Sequence, residues 1–429
     1  MMVEVESKEA LIIEGQRKLE GVLKVSGAKN SALPKIVATI LTDKEVILEN
    51  VPDLLDVKTM HLLLEDIGAK VTNIDKNVFS YSLSNPKSLQ ANYDLVSRMR
   101  ASILVLGPMV SRFGYGEVAL PGGCLIGARP VDLHLKALES MGAKIKIEHG
   151  YIKAYAPKGL RGAHIFFDKI TVTGTENIVM AAVLAKGRTV IENAALEPEI
   201  VDLCKMLKKM GADIEGEGTH RIVINGVDSL KGTNHRVIPD RIEAGTFAVL
   251  SALTEGNIVI ENYPSEYLEY VDEVLEKIGI YLVKVGENRV TVKRDKVLRP
   301  VNIQTREYPL FPTDLQAQFM TLLCFVEGVS EVTENIFENR FMHVPELNRL
   351  GANIEIVGRT AIVRPVSKFS GADVRATDLR ASAAMVIAGL VAEGETKIHN
   401  IYHLDRGYEH IDHKLMGIGA KVRRETVED

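Results

Sequence analysis

The feature that most restricts how this chain can fold is a pattern that recurs six times along it. The endings LLEDIGAKV, ALESMGAKI, LKKMGADI, LEKIGIYL, LNRLGANI and LMGIGAKV carry one aligned glycine each, at Gly68, Gly142, Gly211, Gly279, Gly351 and Gly419. Successive glycines lie 74, 69, 68, 72 and 68 residues apart. One unit of about 70 residues therefore recurs along nearly the whole chain. Each ending has Leu, Ile or Met at helical spacing, a glycine where the helix closes, and a short β-branched strand. The repeating unit is α/β.

Each unit also holds a second, more apolar helix followed by a strand that ends in a polar turn, as in AAVLAKGRTVIENA, LSALTEGNIVIENY, LLCFVEGVSEVTEN and VIAGLVAEGETKIHN. A helix that is apolar nearly all round belongs inside a core. Six such helices, three per domain, predict packed helices walled by sheets. Their starts read GAKNSALP, SRMRASIL, TGTENIVM, PDRIEAGT, PTDLQAQF and TDLRASAA, with Lys29, Arg100, Thr175, Glu243, Asp314 and Arg380 in equivalent places. Helix starts present free N–H groups and a positive dipole end, which attract anions, phosphates above all. The plain alternative is that these residues are helix caps, and for Thr175 or Asp378 alone that is the better reading. Caps do not account for Lys29, Arg100 and Arg380, because a cation at a helix start opposes the dipole. A bound anion would account for them.

Composition narrows the class further. At 429 residues the chain exceeds what one hydrophobic core usually organises, and two domains are expected. Hydrophobic residues at 46% and charged residues at 25% are ordinary globular usage. A net charge of −5, with no run of Lys and Arg among aromatics, argues against nucleic acid as a partner. The first residues carry Glu4, Glu6 and Glu9 where a secretory signal needs basic and then apolar residues, and the longest apolar run, Ala381 to Ala392, is too short to span a membrane. No membrane partner and a cytoplasmic location are expected. Three cysteines, an odd number, fit reduced thiols better than a disulfide framework.

The segment PGGCLIGARPVDLH, residues 121 to 134, reads as a mobile loop leading into a helix. A loop cysteine alone is more often a small buried residue than a reagent. Here Gly122 and Gly123 permit close approach of a ligand, and Arg129 lies in the same loop, which favours a reactive Cys124. Cys204 and Cys324 sit inside apolar helical patterns and read as core.

At this point the chain resembles, over nearly its full length, the UDP-N-acetylglucosamine 1-carboxyvinyltransferase family. The matching stretches are SGAKNSALP at 26–34, MRASILVLGP at 99–108, PGGCLIGARPVDLH at 121–134, EPEIVDL at 197–203, FPTDLQAQF at 311–319, ENRFMHVPEL at 338–347, TDLRAS at 377–382 and DRGYE at 405–409. The resemblance implies two inverted α/β, barrel-like domains of three units each around a deep cleft. One would comprise 29–238, and the other 1–28 with 239–429. It implies transfer of the enolpyruvyl group of phosphoenolpyruvate to the 3'-hydroxyl of UDP-N-acetylglucosamine, the first committed step of peptidoglycan precursor synthesis. No cofactor and no metal are expected.

Carried over residue by residue, the resemblance places Lys29 and Asn30 on phosphoenolpyruvate and Arg100 toward the nucleotide sugar. Arg129, Pro130, Val131, Asp132 and Leu133 would line the uridine side, with Arg129 also reaching phosphate. Lys169, Thr171 and Val172 would hold the diphosphate, Ile336 the sugar or uracil region, and Asp314 a sugar hydroxyl. Arg340, Asp378, Arg380 and Arg406 would complete the anionic pocket. One departure stands out: the family usually runs Ser-Val-Gly-Ala-Thr where this chain has Thr171-Val172-Thr173-Gly174-Thr175.

The residue types suit the chemistry on their own. Adding an alcohol to an enol ether phosphate needs a proton for the methylene carbon, a base for the hydroxyl, and cations for departing phosphate. Asp314 is a candidate base, although Asp after Pro-Thr is often a cap, and Lys29, Arg129 and Arg406 supply charge. Cys124 is the expected general acid, gating product release with its loop. The resemblance also implies a covalent adduct with phosphoenolpyruvate there and alkylation by fosfomycin. Three other readings compete: transfer to shikimate 3-phosphate, against which the PGGC loop argues; a catalytically silent UDP-sugar-binding regulator; and a repeat scaffold for protein partners, which would not need cationic helix starts. Closure of the domains on UDP-sugar binding is a further expectation.

Overall fold

In the computed structural model, residues 9–120 and 131–427 are described. They form two compact units, one from 27–120 and 131–238, termed the middle unit, and one from 9–26 and 239–427, termed the terminal unit. Each unit has its own apolar core, built only from its own residues.

All six repeat glycines adopt the left-handed backbone that closes a helix, with φ of 115° at Gly68, 92° at Gly142, 102° at Gly211 and Gly279, 105° at Gly351 and 91° at Gly419. A side chain at these positions would be strained, so the shared glycine is a conformational requirement. The six units give six four-stranded sheets with one common plan. In one of them, Arg188–Glu192 pairs in parallel with His164–Phe166 and antiparallel with Arg221–Asn225, which in turn pairs antiparallel with Asp213–Glu215. The polar turn after the second strand is also shared: Asn50, Asn193 and Asn262 take φ of 57°, 57° and 59°. Their side-chain amides donate to Val237 O, Phe167 O and Val25 O, just beyond the parallel neighbour strand.

Two sheets of the terminal unit are completed by the start of the chain. Glu9–Glu14 lies between Glu395–His399 and Lys421–Thr426, and Glu20–Lys24 pairs in parallel with Asn257–Glu261. That pairing makes this unit discontinuous in sequence.

Inside the sheets run the six apolar helices: α1 (Lys29–Ala38), α2 (Leu106–Phe113), α3 (Val172–Ala182), α4 (Arg241–Thr254), α5 (Gln316–Leu323) and α6 (Leu379–Val391). The first three pack together in the middle unit and the last three in the terminal unit. In α6, every residue from Arg380 to Leu390 is buried, and six of these are Ala, Gly or Ser, so backbones approach closely on all sides. Truncating a large residue in such a core, Leu390→Ala for instance, costs about 2–5 kcal/mol. Cys204 and Cys324 are fully buried, as their apolar helices predict, and burial pushes both thiols up, Cys324 to about 12. Among the described residues no helix is long and apolar enough to cross a membrane, and no group of three His, Cys, Asp or Glu could hold a metal ion.

Candidate functional site

Of the polar residues predicted at the helix starts, Asp314 and Arg380 meet in the terminal unit, whereas Glu243 pairs with Lys414 and Lys29 with Asp56. In the middle unit α1 begins at Lys29 without a capping side chain. The Lys29 ammonium, nearly buried, lies 2.6 Å from the Asp56 carboxylate in the first turn of the helix Leu55–Ile67. Asn30 beside it is exposed. Two residues on, Ser31 Oγ donates to Asp202 Oδ2 at 2.7 Å, and Lys35, fully buried, pairs with the same oxygen. Asp202 Oδ1 lies 2.8 Å from His235 Nε2. Burial resists the Asp202 charge, yet Lys35 and His235 outweigh it and hold the carboxyl below its usual range.

Arg100 opens a 3-10 turn, Arg100–Val105, that leads into α2, and it is half-buried. Val131 precedes the helix Asp132–Ser140; Asp132 is exposed, and Val131 and Leu133 are half-buried. His134, which follows them, is buried and bonds to Asn177 Nδ2 at 3.0 Å and to Thr173 Oγ1 at 3.4 Å. Burial holds this imidazole down at about 4, with Arg100 adding to the effect and Asp132 opposing it, so it is neutral at pH 7. Lys169 is exposed, Val172 is half-buried, and Thr171 caps α3 by accepting from Gly174 N. Thr175 is no cap: it lies inside the helix, donating to Thr171 O and accepting from Ala195 N.

The terminal unit concentrates charge on one carboxylate. Asp314 lies in the 3-10 turn Thr313–Leu315 before α5. Its Oδ1 is 2.8 Å from Arg340 Nη1, and its Oδ2 is 3.3 Å from both Nε and Nη2 of Arg380. Both arginines are buried, and their guanidiniums also stack, Arg340 over Phe337 at 5.2 Å and Arg380 over Tyr408 at 5.4 Å. Asp378 caps α6, accepting from Arg380 N and Ala381 N at 2.8 and 3.0 Å, as expected for it taken alone. A buried Glu334 organises the surroundings: it accepts from Thr305 and Thr313 hydroxyls and from the backbone N–H of Ile336 and Phe337. Arg406 is half-buried and closes the short helix Tyr402–Asp405.

The carboxylates correct one step of the sequence argument. Lys29 and Arg380 were to be explained by a bound anion, yet each already faces a protein carboxylate, Asp56 or Asp314. The dipole penalty is thus offset within the fold, and any anion must compete for cations that are already paired. Sequence reasoning also missed Asn177, Glu334 and His134. None of them stands alone in an apolar run, since Glu176 precedes Asn177, Asp132 and Lys136 flank His134, and Thr333 and Asn335 flank Glu334, so nothing local sets them apart. Cys124, Arg129 and Pro130 lie outside the described residues.

Three comparisons bear on this arrangement. The model of the family described as EPSP synthase (3-phosphoshikimate 1-carboxyvinyltransferase) matches residues 13–415. A UDP-N-acetylglucosamine 1-carboxyvinyltransferase of Wolinella succinogenes is 55% identical over 96% of this chain and 99% of its own. Among solved structures, the enolpyruvyl transferase NikO from Streptomyces tendae superposes with a TM-score of 0.88 at 26% identity, over 98% of this chain and 99% of that one. EPSP synthase from Acinetobacter baumannii, at 18% identity and a TM-score of 0.75 over 97% and 99%, shares the fold.

Proposed function

The chain belongs to the EPSP synthase family of enolpyruvyl (carboxyvinyl) transferases, and we propose that it transfers the enolpyruvyl group of phosphoenolpyruvate to the 3'-hydroxyl of UDP-N-acetylglucosamine. The observation that carries this acceptor over shikimate 3-phosphate is the 55% identity to a carboxyvinyltransferase of UDP-N-acetylglucosamine across 96% of the chain. The reaction would be the first committed step of peptidoglycan precursor synthesis, and the enzyme would work in the cytoplasm.

In the addition step the sugar 3'-oxygen bonds to C2 of phosphoenolpyruvate while C3 takes up a proton. In the elimination step the C2–O bond to phosphate breaks and C3 gives a proton back, leaving the enolpyruvyl ether and free phosphate. We assign Cys124 as the acid that protonates C3 and Asp314 as the group that accepts the hydroxyl proton. Asp314 already lies against three N–H groups of two arginines, one at Oδ1 and two at Oδ2, and these three leave one lone-pair site on Oδ1 for the hydroxyl proton. An incoming phosphate or carboxylate that draws Arg340 or Arg380 to itself would open further sites on Asp314. Lys29, Asn30 and Arg406 bind phosphoenolpyruvate in this reading, with Arg380 and Arg340. Arg100, Arg129 to Leu133, Lys169, Thr171, Val172 and Ile336 bind the nucleotide sugar, and Asp378 completes the anionic pocket.

The test is phosphate release from phosphoenolpyruvate with either UDP-N-acetylglucosamine or shikimate 3-phosphate as acceptor. Release with the nucleotide sugar alone is expected; release with neither would leave a silent binding protein. Cys124→Asp should retain turnover, since a carboxyl can replace a thiol as proton donor, and should lose alkylation by fosfomycin, read as the missing mass of the adduct. Complete loss of turnover in Cys124→Asp would remove the acid role.

A further inference from the structure

Asn177 occupies an unusual position for a polar residue. It lies in α3 and is fully buried, and its carboxamide reaches into a break in a neighbouring helical segment. In a continuous α-helix the Gly107 N–H would donate to Ile103 O, four residues back. Instead, Ile103 O receives the Leu106 N–H in a 3-10 turn, and the Gly107 N–H goes to Asn177 Oδ1 at 2.9 Å. Asn177 Nδ2 donates to Ile103 O at 3.2 Å and to His134 Nδ1 at 3.0 Å. A single side-chain amide thus replaces the missing backbone bond from both ends.

These partners also settle which way the amide faces. Gly107 N–H requires an oxygen and Ile103 O requires a donor, so oxygen and nitrogen of Asn177 cannot exchange places. The nitrogen then donates to His134 Nδ1, which therefore carries no proton, and the imidazole N–H is on Nε2, facing Thr173 Oγ1 at 3.4 Å. Gly107 is glycine for the same reason: a Cβ there would come within 2.2 Å of Asn177 Oδ1.

Three segments meet on this amide, and each carries residues assigned above to the nucleotide sugar. The 3-10 turn begins at Arg100, His134 directly follows Val131 to Leu133, and α3 itself begins at Val172 beside Thr171. We propose that Asn177 is a positioning residue for the nucleotide-sugar subsite, holding the Arg100 turn, the 131–133 segment and the start of α3 in one register through Gly107, Ile103 and His134. This rests on the transferase reading above. Asn177 touches no substrate and acts through the groups it holds.

Two variants approach the same bond network from opposite sides. Asn177→Asp keeps the shape but supplies only acceptors, removing the donation to Ile103 O and His134. Gly107→Ala pushes a methyl group into the amide from α2. The expected result for both is an affinity for UDP-N-acetylglucosamine, measured by calorimetry, weakened by about tenfold or more. The KM for phosphoenolpyruvate at saturating nucleotide sugar should stay within about twofold of wild type. Nitrogen-15 spectra should show the His134 proton on Nε2 in wild type and on Nδ1 in Asn177→Asp, a signature that loss of packing alone would not produce. Wild-type nucleotide-sugar affinity in both variants, or equal losses for both substrates, would overturn the proposal. A wild-type protein that binds no UDP-N-acetylglucosamine would instead overturn the transferase reading beneath it.

Discussion

The two units share a fold plan and differ in how they neutralise the polar groups within it. The middle unit spreads its charges into separate pairs: Lys29 with Asp56 at the surface of the core, and Lys35 with Asp202 inside it. Its remaining hub, Asn177 with His134, is uncharged. The terminal unit draws two buried guanidiniums onto the single carboxylate of Asp314, with side-chain exposures of 7%, 5% and 25% for Arg340, Arg380 and Asp314. Asp240 also acts on Arg380, yet Arg380 Nη1 stays buried without a hydrogen-bond partner among the described residues, so the pair of arginines is not used up by the carboxylates around it. The comparison separates a structural ion pair from a site: Lys35 and Asp202 are complete without a ligand, whereas the arginines retain capacity for a further anion.

The strongest way to break this contrast is to remove each acid in turn. Asp202→Ala and Asp314→Ala both leave buried cations short of a partner, and each should lower stability by about 3–5 kcal/mol in urea unfolding. Their effects on turnover should diverge. Asp314→Ala should lose roughly 100-fold or more in kcat, the scale of a removed acid–base group, while the folded fraction of Asp202→Ala should keep kcat within about tenfold. Equal loss of kcat in both, measured where each is folded, would mean that Asp314 is no more than a structural anion.

That divergence could not be read from the chain, whereas much of the frame could. The repeat glycines and six helix starts were legible because both are local: a left-handed closing residue, or an apolar run with a polar start, shows within about ten residues. The partners of the cations were not. Lys29 meets Asp56 through a second helix of the same repeat, and Arg380 meets Asp314 from the neighbouring repeat, 66 residues away, pairings set by how helices pack. Asp378 and Thr171 share the pattern of a small polar residue before a helix, and both cap. Thr175 shares the polarity but sits one turn too late.

A second way to sharpen the comparison is pH. Among the described groups, His61 and His134 of the middle unit and His343 of the terminal unit are each held down by burial from 6.5 to about 4. The unfolded chain then binds the extra protons, so each histidine withdraws stability as pH falls from 6.5 toward 4. Buried acids with raised values act oppositely, gaining stability as pH falls toward their unfolded values. The middle unit has one, Glu176. The terminal unit has two, Glu243 and Asp272, the latter raised to about 7 by burial. Among the groups named, the lowered histidines outnumber the raised acids in the middle unit, and the reverse holds in the terminal unit. As pH falls from about 6.5 toward about 4.5 the middle unit should therefore weaken relative to the terminal unit. Hydrogen exchange read peptide by peptide, corrected for intrinsic rates, should show it opening first. Uniform loosening, or earlier opening around His343, would reverse the assignment.

The smallest effect concerns the start of α3, where this chain departs from Ser-Val-Gly-Ala-Thr. A Cβ on Gly174 would sit 2.3 Å from Thr171 Cγ2 and 2.8 Å from its Oγ1. Thr171 uses that hydroxyl to cap Gly174 N, so it cannot rotate away without giving up the cap. Of the three departures, at 171, 173 and 174, the first and last are therefore linked: the extra methyl of threonine makes the tightest contact with an alanine three residues on, and serine would remove it. Gly174→Ala alone should cost about 1–3 kcal/mol from overpacking. Thr171→Ser should cost less, since the cap survives. The double variant should recover wild-type stability or exceed it by up to about 1 kcal/mol, because alanine suits a helix interior better than glycine. A double-mutant cycle from urea unfolding measures the coupling directly, and additive single effects would show that the methyl and the glycine are unrelated.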